Sequence, residues 1–205
     1  MVIRLHQKCT FSHEDPPERN LIFATFRPVF TQYPSPAIQL RIYPKFVLTK
    51  GFTLQLAPEA ARILDSLSQD GEVRQMRRYR QHGDVSTFDH CRNVAELSVR
   101  INCRLHLRAD EAALARGAML HDFYLYDWHT PDPSHRLHGF RHPERAAQNA
   151  IRRFNVGETE QRIIRSHMWP LTLTKPPRCR EAWIVCFADK YCAVTETLFR
   201  GRRAK

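Results

Sequence analysis

From Pro58 onward the apolar residues recur at helical spacing. In "PEAARILDSLS" the residues Ala61, Ile63, Leu64 and Leu67 share one face, and Pro58 sits early, where a helix tolerates proline. "GEVRQMRRYRQHGD" reads as a basic helix that ends near Gly83. Ser86 or Thr87 is placed to cap a helix over about residues 88–105, with Val94, Leu97 and Ile101 inward. Asp110 is a cap for "EAALARGAMLHDF". The spacing predicts further helices over His142–Phe154 and Glu158–His167, and Pro176 and Pro177 open a long final helix through about Phe199. The expected fold is all-α, an irregular bundle of about six helices.

The first 57 residues follow a different pattern. Pro16, Pro17, Pro28, Pro34, Pro36 and Pro44 interrupt every candidate element. "IQLRIY" (Ile38–Tyr43) and "FTLQL" (Phe52–Leu56) alternate apolar and polar residues and read as short strands. The rest reads as extended or disordered chain. The organisation expected is an N-terminal extension over 1–57 and a helical domain over 58–205.

Composition changes this picture little. The hydrophobic fraction, 42%, is enough for a real core. No apolar run approaches the roughly 20 residues that cross a bilayer. The opening "MVIRLHQKCTFSHEDPPERN" has no continuous apolar stretch of the kind a secretory signal needs, so a cytoplasmic protein is expected. The six cysteines include no C-x-x-C pair and read as free or buried thiols. Charge is more informative. The formal net charge of +11 favours anionic partners: phosphorylated small molecules, nucleotides or nucleic acid. The run Arg74–Gln81 reads as a solvated helix face and only weakly as a nucleic-acid surface.

The candidate chemistry lies where polar residues meet helix ends or apolar faces. His90 opens a helix in "FDHCRNVAELSV", and His121 and Asp122 end the next in "AMLHDF". His142 opens a helix in "GFRHPERAAQNA", and His167 ends one in "IIRSHMWP". Asp189 stands inside the apolar "AWIVCFADKYCAV", where an unpaired carboxylate costs several kcal/mol or loses its charge. A cation nearby removes that cost. Imidazole and carboxylate together suit Mn, Fe, Co, Ni or Zn, and no thiol is placed to complete a cysteine-rich zinc site. Neighbouring helix positions point about 100° apart, so His121 and Asp122 can lean into one cavity, with Asp122 bridging two ions.

This order of blocks resembles the HD-domain superfamily of metal-dependent phosphohydrolases. "DHCRNVAEL", "AMLHDF", "HPERAAQNA", "IIRSHMWP" and "IVCFADKYCA" fall in the family's order over Val85 to Thr197. The resemblance implies one ion held by His90, His121, Asp122 and Asp189. His142 and His167 resemble the extra ligands of two-metal members, sharing Asp122 with a second ion. The implied reaction is hydrolysis of a phosphate ester or anhydride, including those of nucleotides, with Lys190 or Arg145 receiving the phosphate. There is one departure: where many members carry a lysine soon after HD, "FYLYDWH" supplies Tyr124, Asp127 and His129. The alternative is a non-catalytic, metal-stabilised module that senses a nucleotide or docks on nucleic acid. His82, His106, His135 and His138 are expected at the surface. Asp127 and His129 are candidates to support the metals or touch substrate.

Overall fold

The computed structural model describes residues 56–200. The strand expected at Ile38–Tyr43, and all but Leu56 of that expected at Phe52–Leu56, lie outside these residues. Among the described residues the protein is predominantly helical, with seven α-helices and one small two-stranded hairpin. None of the helices is long and apolar enough to cross a membrane.

Helix α1 (Pro58–Gln69) has proline at its first position and buries Ala60, Leu64 and Leu67. A short α2 (Gly71–Gln75) follows, its first turn capped by Asp70, whose carboxylate accepts from the backbone N–H of Glu72 and Val73. The long basic helix expected here does not form. After α2 and one 3-10 turn at Met76–Arg78, the chain becomes a hairpin of β1 (Arg80–His82) and β2 (Val85–Ser86). Val73 and Met76 are fully buried, but no apolar residue continues their face through 80–84. Gly83 then turns the chain with φ +56, a left-handed conformation that glycine adopts freely. The hairpin carries Gln81 inward.

Ser86 caps α3 (Thr87–Arg104), accepting from the N–H of Asp89. Asp110 caps α4 (Glu111–Leu120) through the N–H groups of Ala112 and Ala113. Each such cap contributes about 1 kcal/mol. Helix α4 is central, and its small residues let neighbours approach. A Cβ on Gly117 would lie 2.6 Å from Ile163 Cδ1, so this glycine is what lets α6 (Glu158–Ser166) pack closely. Leu114, Met119 and Leu120 are fully buried around it, each contributing about 1.5–3 kcal/mol by leaving water.

Helix α5 (His138–Phe154) starts one turn earlier than expected. A residue before proline disfavours helical geometry, yet His142 is helical here. Leu137, in the left-handed region at φ 58, turns the chain into the helix, and Pro143 lies inside it. The last helix, α7 (Arg180–Arg200), begins after Pro176 and Pro177 rather than at them. It packs against α3 and α6, which brings Asp189 to the ends of both α4 and α6.

Candidate metal centre

Four imidazoles converge from four helices. His90 lies in the first turn of α3, His121 follows the last turn of α4, His142 lies in the second turn of α5, and His167 follows the last turn of α6. All four are buried, with exposures of 0, 0, 3 and 1%. Helix ends leave backbone carbonyls without intrahelical partners, and this protein uses them. His121 Nδ1 donates to the Ala118 carbonyl and His167 Nδ1 to the Ile164 carbonyl, both at 2.8 Å. His142 Nδ1 donates to the His138 carbonyl at 2.8 Å. His90 Nδ1 lies 2.8 Å from Glu196 Oε2. A carbonyl only accepts, so in His121, His142 and His167 the proton sits on Nδ1 and the Nε2 lone pair points inward.

The carboxylates meet those lone pairs. Asp189 Oδ1 is 3.0 Å from His90 Nε2 and 3.7 Å from His121 Nε2. Asp122 divides its oxygens: Oδ2 is 3.4 Å from His121 Nε2, while Oδ1 is 3.1 Å from His142 Nε2 and 3.4 Å from His167 Nε2. The last two nitrogens are themselves 2.9 Å apart. As neutral rings protonated at Nδ1, His121, His142 and His167 turn acceptors toward these carboxylates, whereas His90 is placed to donate from Nε2 to Asp189. His121 Nε2 and Asp122 Oδ1 are both buried with no donor. Such orphans cost roughly 1–3 kcal/mol each unless a cation fills the space between them. The residues therefore fit a metal. Three groups have ligand atoms within 4.8 Å of one another: His90, His121 and Asp122; His121, His167 and Asp189; and Asp122, His142 and His167. No thiol joins these groups among the described residues.

Electrostatics point the same way. Burial pulls His90 down, but Asp189 and Glu196 outweigh it and carry its pKa up to about 10. Burial also opposes the charge on His121, yet Asp122 and Asp189 hold its pKa well above the usual value. Burial would raise Asp122 and Asp189, but the surrounding imidazoles hold both well below the carboxylate range. His167 differs: burial dominates and lowers it. A centre without metal thus gathers protons where a cation fits.

The HD domain family matches residues 87–194 of the chain. This is an HD-domain protein. It belongs to the superfamily of metal-dependent phosphohydrolases, and the matched segment runs from the first residue of α3 to Val194 in α7. No curated protein and no solved structure matches it.

A cavity of about 710 Å³ opens over one side of the HD centre. Its floor includes Asp122, His142, His167 and Asp189, whereas His90 and His121 lie outside its lining. Lys190 stands at the wall, its ammonium donating to the His167 carbonyl at 2.6 Å and lying 3.5 Å from Asp189 Oδ2. Arg145 does not line the cavity; it is exposed, with its guanidinium 5.7 Å over the Tyr126 ring. Asp127 and His129 bond to each other in a local turn, outside the lining, and Trp128 between them faces the cavity instead.

Several residues of the centre were not expected from the sequence. Glu196 is buried, bridging His90 and Asn93, and it stands seven residues after Asp189 on the same face of α7. That spacing was the available signal. Gln81 donates to Asp122 Oδ2 and accepts from Tyr124, an arrangement that exists only because the hairpin replaces the expected helix. Of the four histidines expected at the surface, His106 is exposed, but His82, His135 and His138 are half-buried. Ring packing is the reason: His82 meets His90 edge-on, His135 stacks on Tyr126, and His138 stacks on His142.

Proposed function

We propose that this HD-domain protein is a phosphohydrolase that cleaves a phosphate ester or anhydride, nucleotides included, using two divalent transition-metal ions. The observation that carries this reading is the division of Asp122 between two sets of imidazoles at the floor of an open cavity. His90, His121, Asp122 and Asp189 would hold one ion, and Asp122, His142 and His167 the other. The nitrogen and oxygen donors suit Mn, Fe, Co, Ni or Zn. When bound, the ions supply a water acidic enough to attack near neutral pH and positive charge for a non-bridging phosphate oxygen.

The chain's own residues do the rest. Gln81 holds Asp122 Oδ2 from outside the centre, so the carboxylate keeps one oxygen toward each imidazole set. Lys190, held by the His167 carbonyl and paired with Asp189 Oδ2, would offer its remaining N–H to a phosphate oxygen at the wall of the cavity. The alternative, a binding module without turnover, draws on one observation. Tyr124, near where related enzymes place a lysine, is buried and spends its hydroxyl on Gln81 and Thr87. Turnover decides between them. The full chain, loaded with Mn²⁺ or Fe²⁺, is assayed for phosphate release from nucleotides and simple phosphate esters. Release that stops on chelation supports the hydrolase; tight nucleotide binding without release supports the module.

A further inference from the structure

The cavity is built for more than a phosphate. At about 710 Å³ it falls within the range of pockets that hold small organic molecules, about 300–1,000 Å³. One wall is a stack of rings leading outward from the centre. His142 and His138 are parallel within 17° with centroids 4.4 Å apart, and His138 and Trp128 are parallel within 11° at 5.1 Å. The other wall is Met168, Pro170 and Leu171, the last 48% exposed. The walls meet at Gly139, where a Cβ would lie 3.1 Å from Leu171 Cδ2.

A bare phosphate or polyphosphate gains nothing from such walls, because it leaves their apolar surface in water. His138 and His129 take the two faces of the indole, so a flat ring joined to the phosphate meets the edge of Trp128 that lines the cavity and covers Leu171 on the other side. The Trp128 Nε1 is a buried donor with no hydrogen-bond partner, which an acceptor on a ligand beside it would satisfy. We infer that the substrate's phosphate is joined to a flat, largely apolar ring, and that Trp128 and Leu171 select it. This rests on the phosphohydrolase reading, since it concerns the group the hydrolysed phosphate carries.

The test uses paired probes that differ only in the ring. Binding of 2-phenylethylphosphonate and ethylphosphonate to the metal-loaded full chain is measured by calorimetry. Neither probe is hydrolysed, so turnover plays no part. The phenylethyl probe is expected to bind about tenfold more tightly. Trp128→Ala should reduce that preference to under about twofold, and Trp128→Phe should keep most of it. Leu171→Asp, at an exposed position, gives a second reading that does not depend on how Trp128→Ala folds, and it should also cut the preference. Equal affinities in the wild type, no binding of either probe, or a preference that survives in variants with normal metal content would overturn the inference. The matching phosphate esters, whose leaving alcohols are of similar acidity, separate this from the function itself. A ring preference in binding without hydrolysis of 2-phenylethyl phosphate would leave the pocket inference standing and remove the phosphohydrolase.

Discussion

His90 and His142 present the same ring to the same kind of carboxylate, but the protein backs them differently. His90 lies in a sealed seam between α3 and α7. Its far nitrogen meets the buried Glu196 carboxylate, which is itself bonded to Asn93. His142 is backed by one backbone carbonyl and lines the open cavity, as does its neighbour His167. The inner half of the centre is thus part of the core, held by charge as well as geometry. The outer half is where the cavity opens onto the centre. A carboxylate behind a histidine raises its donor strength more than a carbonyl does, so the inner ion should bind tightly and the outer ion weakly.

The variant that breaks the comparison altogether is Asp122→Ala. Among the described residues, Asp122 is the one whose two oxygens are divided between the halves. Both ions should be lost and hydrolysis should fall to background, as metal analysis and phosphate release will report. The double variant His142→Ala/His167→Ala should separate the halves. About one ion per chain should remain, while turnover drops at least about hundredfold, because a two-metal clamp on the phosphate is lost. A smaller effect is expected from Glu196→Ala, which removes only the backing of His90. Affinity for the inner ion should weaken about 10–100-fold in a metal titration, with Glu196→Gln milder because its amide oxygen still accepts.

The smallest effect separates the halves by pH. The pKa of His90 is raised from its ordinary 6.5 to about 10. In the metal-free protein the protonated ring therefore contributes stability that is full below about 6.5 and lost as pH rises through about 10. A metal must displace that proton, so the affinity of the inner half should rise by about tenfold per pH unit for each proton released. The ring of His167, its pKa lowered by burial, is already neutral near pH 7. The outer half should lose much less affinity between pH 8 and 7. Titrations at the two pH values check this; equal slopes for both steps would contradict the division.

Part of the candidate metal centre was legible in the sequence because some of its residues break a local rule. His121 ends an apolar helix, His167 follows the buried Ile163–Ile164 pair of an amphipathic one, and Asp189 puts a charge on a face that otherwise buries, so local pattern exposes them. What backs them was not. Glu196 looks like any acid near the end of a final helix until α3 is seen to pack against it. The hairpin that delivers Gln81 hides within a run of arginines at helix-like density, and only the φ of Gly83 reveals the turn. The sequence pattern starts α5 at His142, one turn late, and leaves His138 among the surface histidines. Local pattern records where a side chain departs from its element. It does not record which neighbour tertiary packing brings to it.

The central claim is that one buried aspartate divides a centre into two unequal metal sites. A titration of the metal-free full chain with Mn²⁺ or Fe²⁺, followed to saturation, tests it most directly. The account predicts close to two ions per chain in two steps, with only the weaker step lost in His142→Ala/His167→Ala. A single step saturating at one ion in the wild type, with the same stoichiometry and affinity in the double variant, would contradict it.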